Sequence, residues 1–126
     1  MQPIVLLYNI ESQRLTQIEL LAACQGAKAR LVPPGDYGRP VGSLCGLPSE
    51  GDGARGLWND FNEEMLVMAY FTPEKMRAFL DSFRQAGLPA VRLKAVLTET
   101  NRFWNSCALR AELLKEEAAF QAMKRD

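Results

Sequence analysis

The two halves of the chain repeat one plan, in which an apolar strand leads into an amphipathic helix, a glycine closes the helix, and a second strand follows. The run Ile4–Leu7 corresponds to Met65–Met68, and Gly26 after the first helix corresponds to Gly87 after the second. Each of these pairs is separated by 61 residues. A duplicated β-α-β unit restricts the chain to a few architectures that combine helices with one sheet.

The length and the net charge of the chain restrict the kinds of protein it can be. At 126 residues the chain is predicted to be a single domain over residues 1–126. Its 15 basic side chains balance its 15 acidic ones, so we expect no nucleic-acid partner. No apolar stretch approaches the roughly 20 residues of a membrane span, and no apolar leader with a basic flank precedes the first strand. We therefore expect a cytoplasmic protein that does not bind membranes.

The sequence contains no histidine, which removes the commonest general base and the commonest transition-metal ligand. Its three cysteines, Cys24, Cys45 and Cys107, form no C-x-x-C pair. Neither a disulfide framework nor a structural zinc site is expected from that spacing. We expect no metal, no other cofactor and no histidine-dependent catalysis.

Residues 4–32 form the first predicted half. The run Ile4–Tyr8 is apolar without alternation, which is typical of a strand that is buried on both faces. The helix that follows is predicted to have Ser12 as its N-cap and to end at Gly26. A short strand is predicted over residues 29–32, where a pair of prolines stops it.

Residues 65–98 form the second predicted half, and its helix has stronger start signals. Thr72 is the predicted N-cap, and Pro73 follows at the first helical position. Residues 91–98 alternate between apolar and polar side chains, which predicts a strand with one buried face. A further helix is predicted over residues 105–121.

The connection between the halves, residues 33–62, contains most of the glycines of the chain. Its first part, residues 36–46, is predicted to form ordered turns and a short helical piece. Residues 49–56 lack an apolar anchor and are predicted to be the most mobile internal segment. Trp58 and Phe61 are then predicted to return the chain to the core.

This order of elements predicts an α/β (α+β) fold of the ferredoxin-like type, a duplicated βαβ sandwich with an antiparallel four-stranded sheet and an extra C-terminal helix. The alternative is a small open three-layer α/β sheet, because strand direction does not follow from these patterns. In either fold the central strands are apolar on both sides. Apolar burial stabilises by about 25 cal/mol per Å², so we expect Leu6, Tyr8, Val67 and Ala69 to be buried, either by the chain itself or in a homodimer.

The densest set of polar groups beside an aromatic side chain is formed by Lys94, Thr98, Asn101 and Trp104. One interpretation is structural: Thr98 and Asn101 are turn and cap residues, and Trp104 packs the final helix onto the sheet. The other is a pocket lined by Lys94, Thr98 and Asn101 beside a helix N-terminus, where a small anionic ligand would be stabilised.

The same segment carries a family resemblance. The motif K-A-V-x-T-x-x-N-x-x-W over residues 94–104, with the upstream stretch 36–42 and the helix end at residues 85–87, resembles the bacterial family called domain of unknown function 3783. The resemblance is close over residues 64–117 and looser over residues 4–46. It implies a fold and a set of residues, not an activity.

The upstream stretch adds Asp36 and Tyr37 as candidate contacts of a ligand or partner. The glycines around them, Gly35 and Gly38, lack the spacing of a phosphate-binding loop, so a turn is predicted there. The chain also departs from the family at its last helix, which often ends in Glu-His, whereas residues 116–118 here are Glu-Glu-Ala. Any chemistry that depends on that histidine is absent.

Two classes of function follow. The first is a non-enzymatic regulatory or interaction and ligand-binding module, a homodimer that self-associates through its sheet or its terminal helix. The alternative is a small enzyme that uses Lys94 or a cysteine thiolate on an anionic small molecule. The lack of a recognisable catalytic set favours the module. For the structure, we predict that Trp104 is largely buried and that Thr98 or Asn101 caps the final helix.

Overall fold

The computed structural model describes residues 1–48 and 60–124. The segment predicted to be mobile, residues 49–56, lies outside the described residues, as does Trp58. The chain divides into two compact units, one made of Met1–Pro33 with Asn62–Leu97 and the other of Pro34–Phe61 with Thr98–Asp126. The single-domain organisation stays a prediction.

The helices and strands follow the predicted order. In chain order they are β1 (Ile4–Tyr8), α1 (Ser12–Cys24), β2 (Lys28–Leu31), α2 (Val41–Leu44), β3 (Met65–Ala69), α3 (Pro73–Gln85), β4 (Leu93–Val96) and α4 (Ser106–Met123). The first unit contains the four strands with α1 and α3, and the second contains α2 and α4.

The first unit has a mixed, open sheet in the order β2-β1-β3-β4. β1 and β2 are parallel, β3 and β4 are parallel, and the two central strands β1 and β3 are antiparallel. The ferredoxin-like arrangement predicted first, with an antiparallel sheet, is therefore not the one observed. The alternative open α/β sheet fits, because each helix crosses over between two adjacent parallel strands, for which a connection of about a dozen residues suffices.

α1 and α3 bury their apolar stripes on the same face of this sheet. The buried core there contains residues of both halves, among them Val5, Leu7, Ile18, Ala22, Leu66, Met68, Phe79 and Phe83. The rings of Phe79 and Phe83 meet edge to face, with centroids 5.3 Å apart. The amphipathic stripes predicted for the two helices are confirmed.

The side chains that alternate with this core are buried as well. Leu6 is in register with Val67 and Tyr8 with Met65, and Leu6, Tyr8, Val67 and Ala69 are all fully buried. The predicted burial on both faces of the central strands is confirmed within a single chain. These strands therefore do not by themselves require a second subunit.

Both halves close their helix in the same way. Gly26 and Gly87 have φ angles of +71° and +72°, the left-handed conformation that glycine adopts without steric cost. In each half the glycine N–H donates to the carbonyl three residues earlier, and the next N–H donates to the carbonyl five residues earlier. This is the Schellman motif, so the predicted C′ role of both glycines is confirmed.

The starts of the two helices differ. Thr72 is the N-cap of α3, and its side chain accepts a hydrogen bond from the Lys75 N–H at 3.1 Å. Ser12 is the first residue of α1, and Glu11 holds the N-cap position without a side-chain cap. The prediction of Ser12 as N-cap is therefore wrong by one residue.

The second unit is built from short pieces tied by backbone hydrogen bonds. The Val41 N–H donates to the Trp104 carbonyl at 2.8 Å, and the Ser106 N–H donates to the Tyr37 carbonyl at 3.0 Å. The Tyr37 ring is fully buried and stacks on Phe61, with ring centroids 4.5 Å apart. α4 begins one residue later than predicted and ends two residues later.

Candidate functional site

Thr98 and Asn101 bond to each other's backbone. The Thr98 N–H donates to Asn101 Oδ1 at 2.8 Å, and the Asn101 N–H donates to Thr98 Oγ1 at 3.0 Å. This reciprocal pair has the geometry of a capping box and leads into a short 3₁₀ turn over Asn101–Phe103. Both side-chain oxygens accept backbone hydrogen bonds, as the structural interpretation of these residues expects.

Trp104 is half-buried, and one prediction about the start of the final helix is wrong. The N-cap of α4 is Asn105, whose Oδ1 accepts a hydrogen bond from the Ala108 N–H at 2.8 Å, so neither Thr98 nor Asn101 holds that position. The reason is that Thr98 and Asn101 already satisfy the backbone of the 3₁₀ turn that precedes α4.

Asp36 and Tyr37 lie in the same unit as Thr98, Asn101 and Trp104. The Asp36 carboxylate is 3.8 Å from the Arg39 guanidinium. The Tyr37 ring is fully buried, and the Tyr37 carbonyl accepts a hydrogen bond from the N–H of Ser106, the first residue of α4. The structure thus joins Tyr37 to the segment around Trp104 through the backbone.

Lys94 lies in the first unit, on β4. Its register partner is Leu66, so its side chain leaves the sheet on the face that α1 and α3 cover. The Lys94 Nζ donates to the Val91 carbonyl at 2.9 Å. Lys94 lines a cavity of about 70 Å³ whose other lining residues, Leu66, Leu80, Phe83, Ala90 and Val91, are all in the first unit.

A larger concavity, which the sequence did not indicate, lies between α1 and α3. It has a volume of about 730 Å³ and is lined by Leu21, Cys24, Gln25, Glu74, Arg77, Ala78, Asp81, Ser82, Gln85 and Ala86. We call it the interhelical groove. Along α3, the charges alternate in sign at Glu74, Arg77 and Asp81, while Leu21 and Ala78 contribute apolar surface.

A half-buried ion pair, which the sequence did not indicate either, lies near the start of α1. Arg14 of α1 forms a salt bridge with Glu64, the residue before β3. The second terminal nitrogen of Arg14 donates to the Pro89 carbonyl at 3.2 Å. Arg14 thus links α1 to the residue before β3 and to the segment between α3 and β4.

The three thiols of the chain differ in exposure. Cys24 is exposed in the interhelical groove, Cys45 is buried and Cys107 is half-buried. Within residues 1–48 and 60–124, no group of three histidine, cysteine, aspartate or glutamate side chains is placed to hold a metal ion. In the same residues, no helix is long and apolar enough to cross a membrane.

Comparison with known families tests the resemblance carried by the K-A-V-x-T-x-x-N-x-x-W motif. Residues 64–120 match the model of the family described as Domain of unknown function (DUF3783). The predicted resemblance is confirmed. The segment similar to DUF3783 begins just before β3, runs into α4, and contains Lys94, Thr98, Asn101 and Trp104 but not Asp36 or Tyr37. No curated protein and no solved structure matches the chain.

Proposed function

We propose that this protein is a non-enzymatic interaction module that binds a segment of a partner protein in the interhelical groove. The observation that carries the proposal is the groove itself, a concavity of about 730 Å³ between two helices of one unit. Its volume falls within the roughly 300–1,000 Å³ typical of small-molecule pockets. The groove runs along α3 from Glu74 to Ala86, which suits an elongated partner.

The charges of the groove define the chemistry of that partner. Glu74 and Asp81 flank Arg77 along α3, where Glu74 and Arg77 are exposed and Asp81 is half-buried. A complementary segment carries basic side chains opposite the two carboxylates and an acidic side chain opposite the guanidinium, since such charge matching sets orientation and specificity. Leu21 and Ala78 offer apolar contact between these charges. We therefore propose an amphipathic helix with a basic-acidic-basic pattern as the occupant.

The polar residues of the DUF3783-like segment support a non-enzymatic role. Thr98 and Asn101 direct their oxygens to backbone N–H groups, and the Lys94 ammonium donates to a backbone carbonyl. These interactions stabilise the fold and do not assemble a nucleophile with a base. In the enzymatic alternative, Lys94 or a cysteine thiolate would act on an anionic small molecule, and the Lys94 ammonium already donates to the Val91 carbonyl.

The proposal includes a homodimer formed through α4. Phe120 and Met123 are 57% and 77% exposed near the end of this helix. An antiparallel pair of α4 helices that crosses at Phe120 places Lys124 of each copy opposite Glu116 of the other. Apolar contacts at the centre and opposite charges at both flanks favour such pairing. The same proposal places the protein in the cytoplasm, where its cysteines remain thiols.

Co-purification of matched charge variants tests the groove. Arg77→Glu reverses the central charge, and Lys75→Glu makes the same change on an exposed residue of the same helix that does not line the groove. Native mass spectrometry of tagged protein isolated from its own cells should show a partner with the wild type and Lys75→Glu but not with Arg77→Glu. A partner retained by all three proteins contradicts binding in the groove.

A further inference from the structure

The cavity beside Lys94 has an apolar floor and a charged mouth. Leu66, Phe83 and Val91 are buried at its floor, whereas Ala90 and Lys94 are exposed at the rim. A cavity of this composition excludes a wholly polar ligand, because the floor offers no hydrogen-bonding side chain. It also places a cation where one end of an amphiphilic ligand would emerge.

One hydrogen bond fixes the position of the Lys94 ammonium and leaves other N–H groups of the ammonium as donors for a ligand. Its bond to the Val91 carbonyl at 2.9 Å holds the nitrogen at the rim of the cavity, since Val91 is itself a lining residue. An ammonium group carries three N–H donors, and this contact uses one of them. The remaining donors can bind a carboxylate through charge-assisted hydrogen bonds, which are stronger than neutral ones.

The size of the cavity limits the apolar part of the ligand. Its volume is about 70 Å³, roughly half of the 150 Å³ that holds a benzene molecule in an engineered apolar cavity. A tail of two or three carbon atoms fits this space. An aromatic ring or a long acyl chain does not.

We propose that this cavity binds a short-chain carboxylate, with the hydrocarbon tail on Leu66, Phe83 and Val91 and the carboxylate on Lys94 Nζ. Propionate and butyrate are the expected chain lengths. The lining residues of this cavity and those of the interhelical groove have no member in common.

Titration by NMR of the methyl groups of Leu66, Leu80 and Val91 tests the site at constant ionic strength. Propionate and butyrate should give saturable shifts, acetate should bind more weakly because it leaves the floor unfilled, and hexanoate should bind more weakly because it exceeds the cavity. Butanol, which has the tail of butyrate without its charge, should bind about tenfold more weakly than butyrate.

Variants separate a site from a surface effect. Lys94→Met should weaken butyrate binding about tenfold, while Lys75→Met should leave it unchanged. Ala90→Leu, which narrows the mouth of the cavity, should weaken butyrate binding as well and replaces Lys94→Met if that variant does not fold. Equal affinity for butyrate and butanol, no dependence on chain length, or no saturable methyl shift overturns the proposal.

Discussion

At Gly42 the second unit has room for a hydrogen atom but not for a methyl group. A Cβ built on this residue would lie 2.9 Å from the Arg102 carbonyl oxygen and 3.0 Å from the Arg102 Cβ. The first of these atoms belongs to the backbone, so α2 and the 3₁₀ turn Asn101–Phe103 would have to separate. Close packing against Arg102 therefore explains why position 42 is a glycine.

We predict that Gly42→Ala destabilises the protein by about 1–3 kcal/mol, the usual cost of overpacking. Gly35→Ala is the control, because nothing lies within 4 Å of its Cβ position. Urea midpoints of the two variants measure the difference. Equal midpoints would show that Arg102 moves aside at no cost.

The aromatic residue that anchors the second unit is Tyr37, not Trp104. Tyr37 is fully buried and stacks on Phe61, whereas Trp104 is half-buried. We predict that Tyr37→Ala costs about 3–5 kcal/mol, as for other large buried aromatics, and that Trp104→Ala costs less. Guanidinium unfolding of both variants checks the order, and a larger loss for Trp104→Ala would contradict it.

At the scale of elements, the two Schellman motifs are the clearest sign of the duplication. Gly26 and Gly87 have the same φ to within a degree and the same two hydrogen bonds. We predict that Gly26→Ala and Gly87→Ala each cost about 1–2 kcal/mol, because an L-residue is strained in the left-handed region, and that Asn costs less at both positions. Unequal losses, measured by thermal unfolding, would show that one helix end is held by other contacts.

Helices and strands could be predicted where the sequence signal lies within a few residues. The pairing of the strands could not be predicted. β1 and the cap residues Thr72 and Gly87 follow from side-chain patterns within a few positions. The order β2-β1-β3-β4 depends on which strands meet across the sheet, and the same alternation fits parallel and antiparallel neighbours. β4 is shorter than predicted at both ends, and after it the chain turns at Thr98, whose hydrogen bonds go to Asn101.

The candidate sites were predictable only where the residues are close in sequence. Thr98 and Asn101 are three positions apart, and their role as turn residues followed from residue type. The interhelical groove joins Cys24 to Glu74 and Arg77, residues about 50 positions apart, so no local spacing indicates it. The sequence indicated Lys94 as a candidate charged contact. It did not predict the cavity that Lys94 lines, because this cavity depends on how α3 packs on the sheet.

At the scale of the whole molecule, self-association through α4 predicts a weak dimer. Two helix ends bury less area than the roughly 1,200 Å² of a stable interface, so the dimer should dissociate on dilution. In sedimentation velocity, the wild type should dimerise at concentrations approaching about 1 mM. The double variant Phe120→Ser with Met123→Ser should stay monomeric, and the exposed control Gln121→Ser should behave as the wild type. A wild-type protein that remains monomeric at all concentrations up to about 1 mM contradicts the dimer.

The binding role of the interhelical groove is tested most directly by its own thiol. Cys24 lines the groove and is exposed, so a bound segment should shield it from iodoacetamide, whereas the half-buried Cys107 serves as an internal reference. The ratio of the two alkylation rates, measured by peptide mass spectrometry, should fall severalfold between purified protein and its native complex. This fall should occur for the wild type and Lys75→Glu and be absent for Arg77→Glu. An unchanged ratio in the wild-type complex would contradict the groove as the binding site.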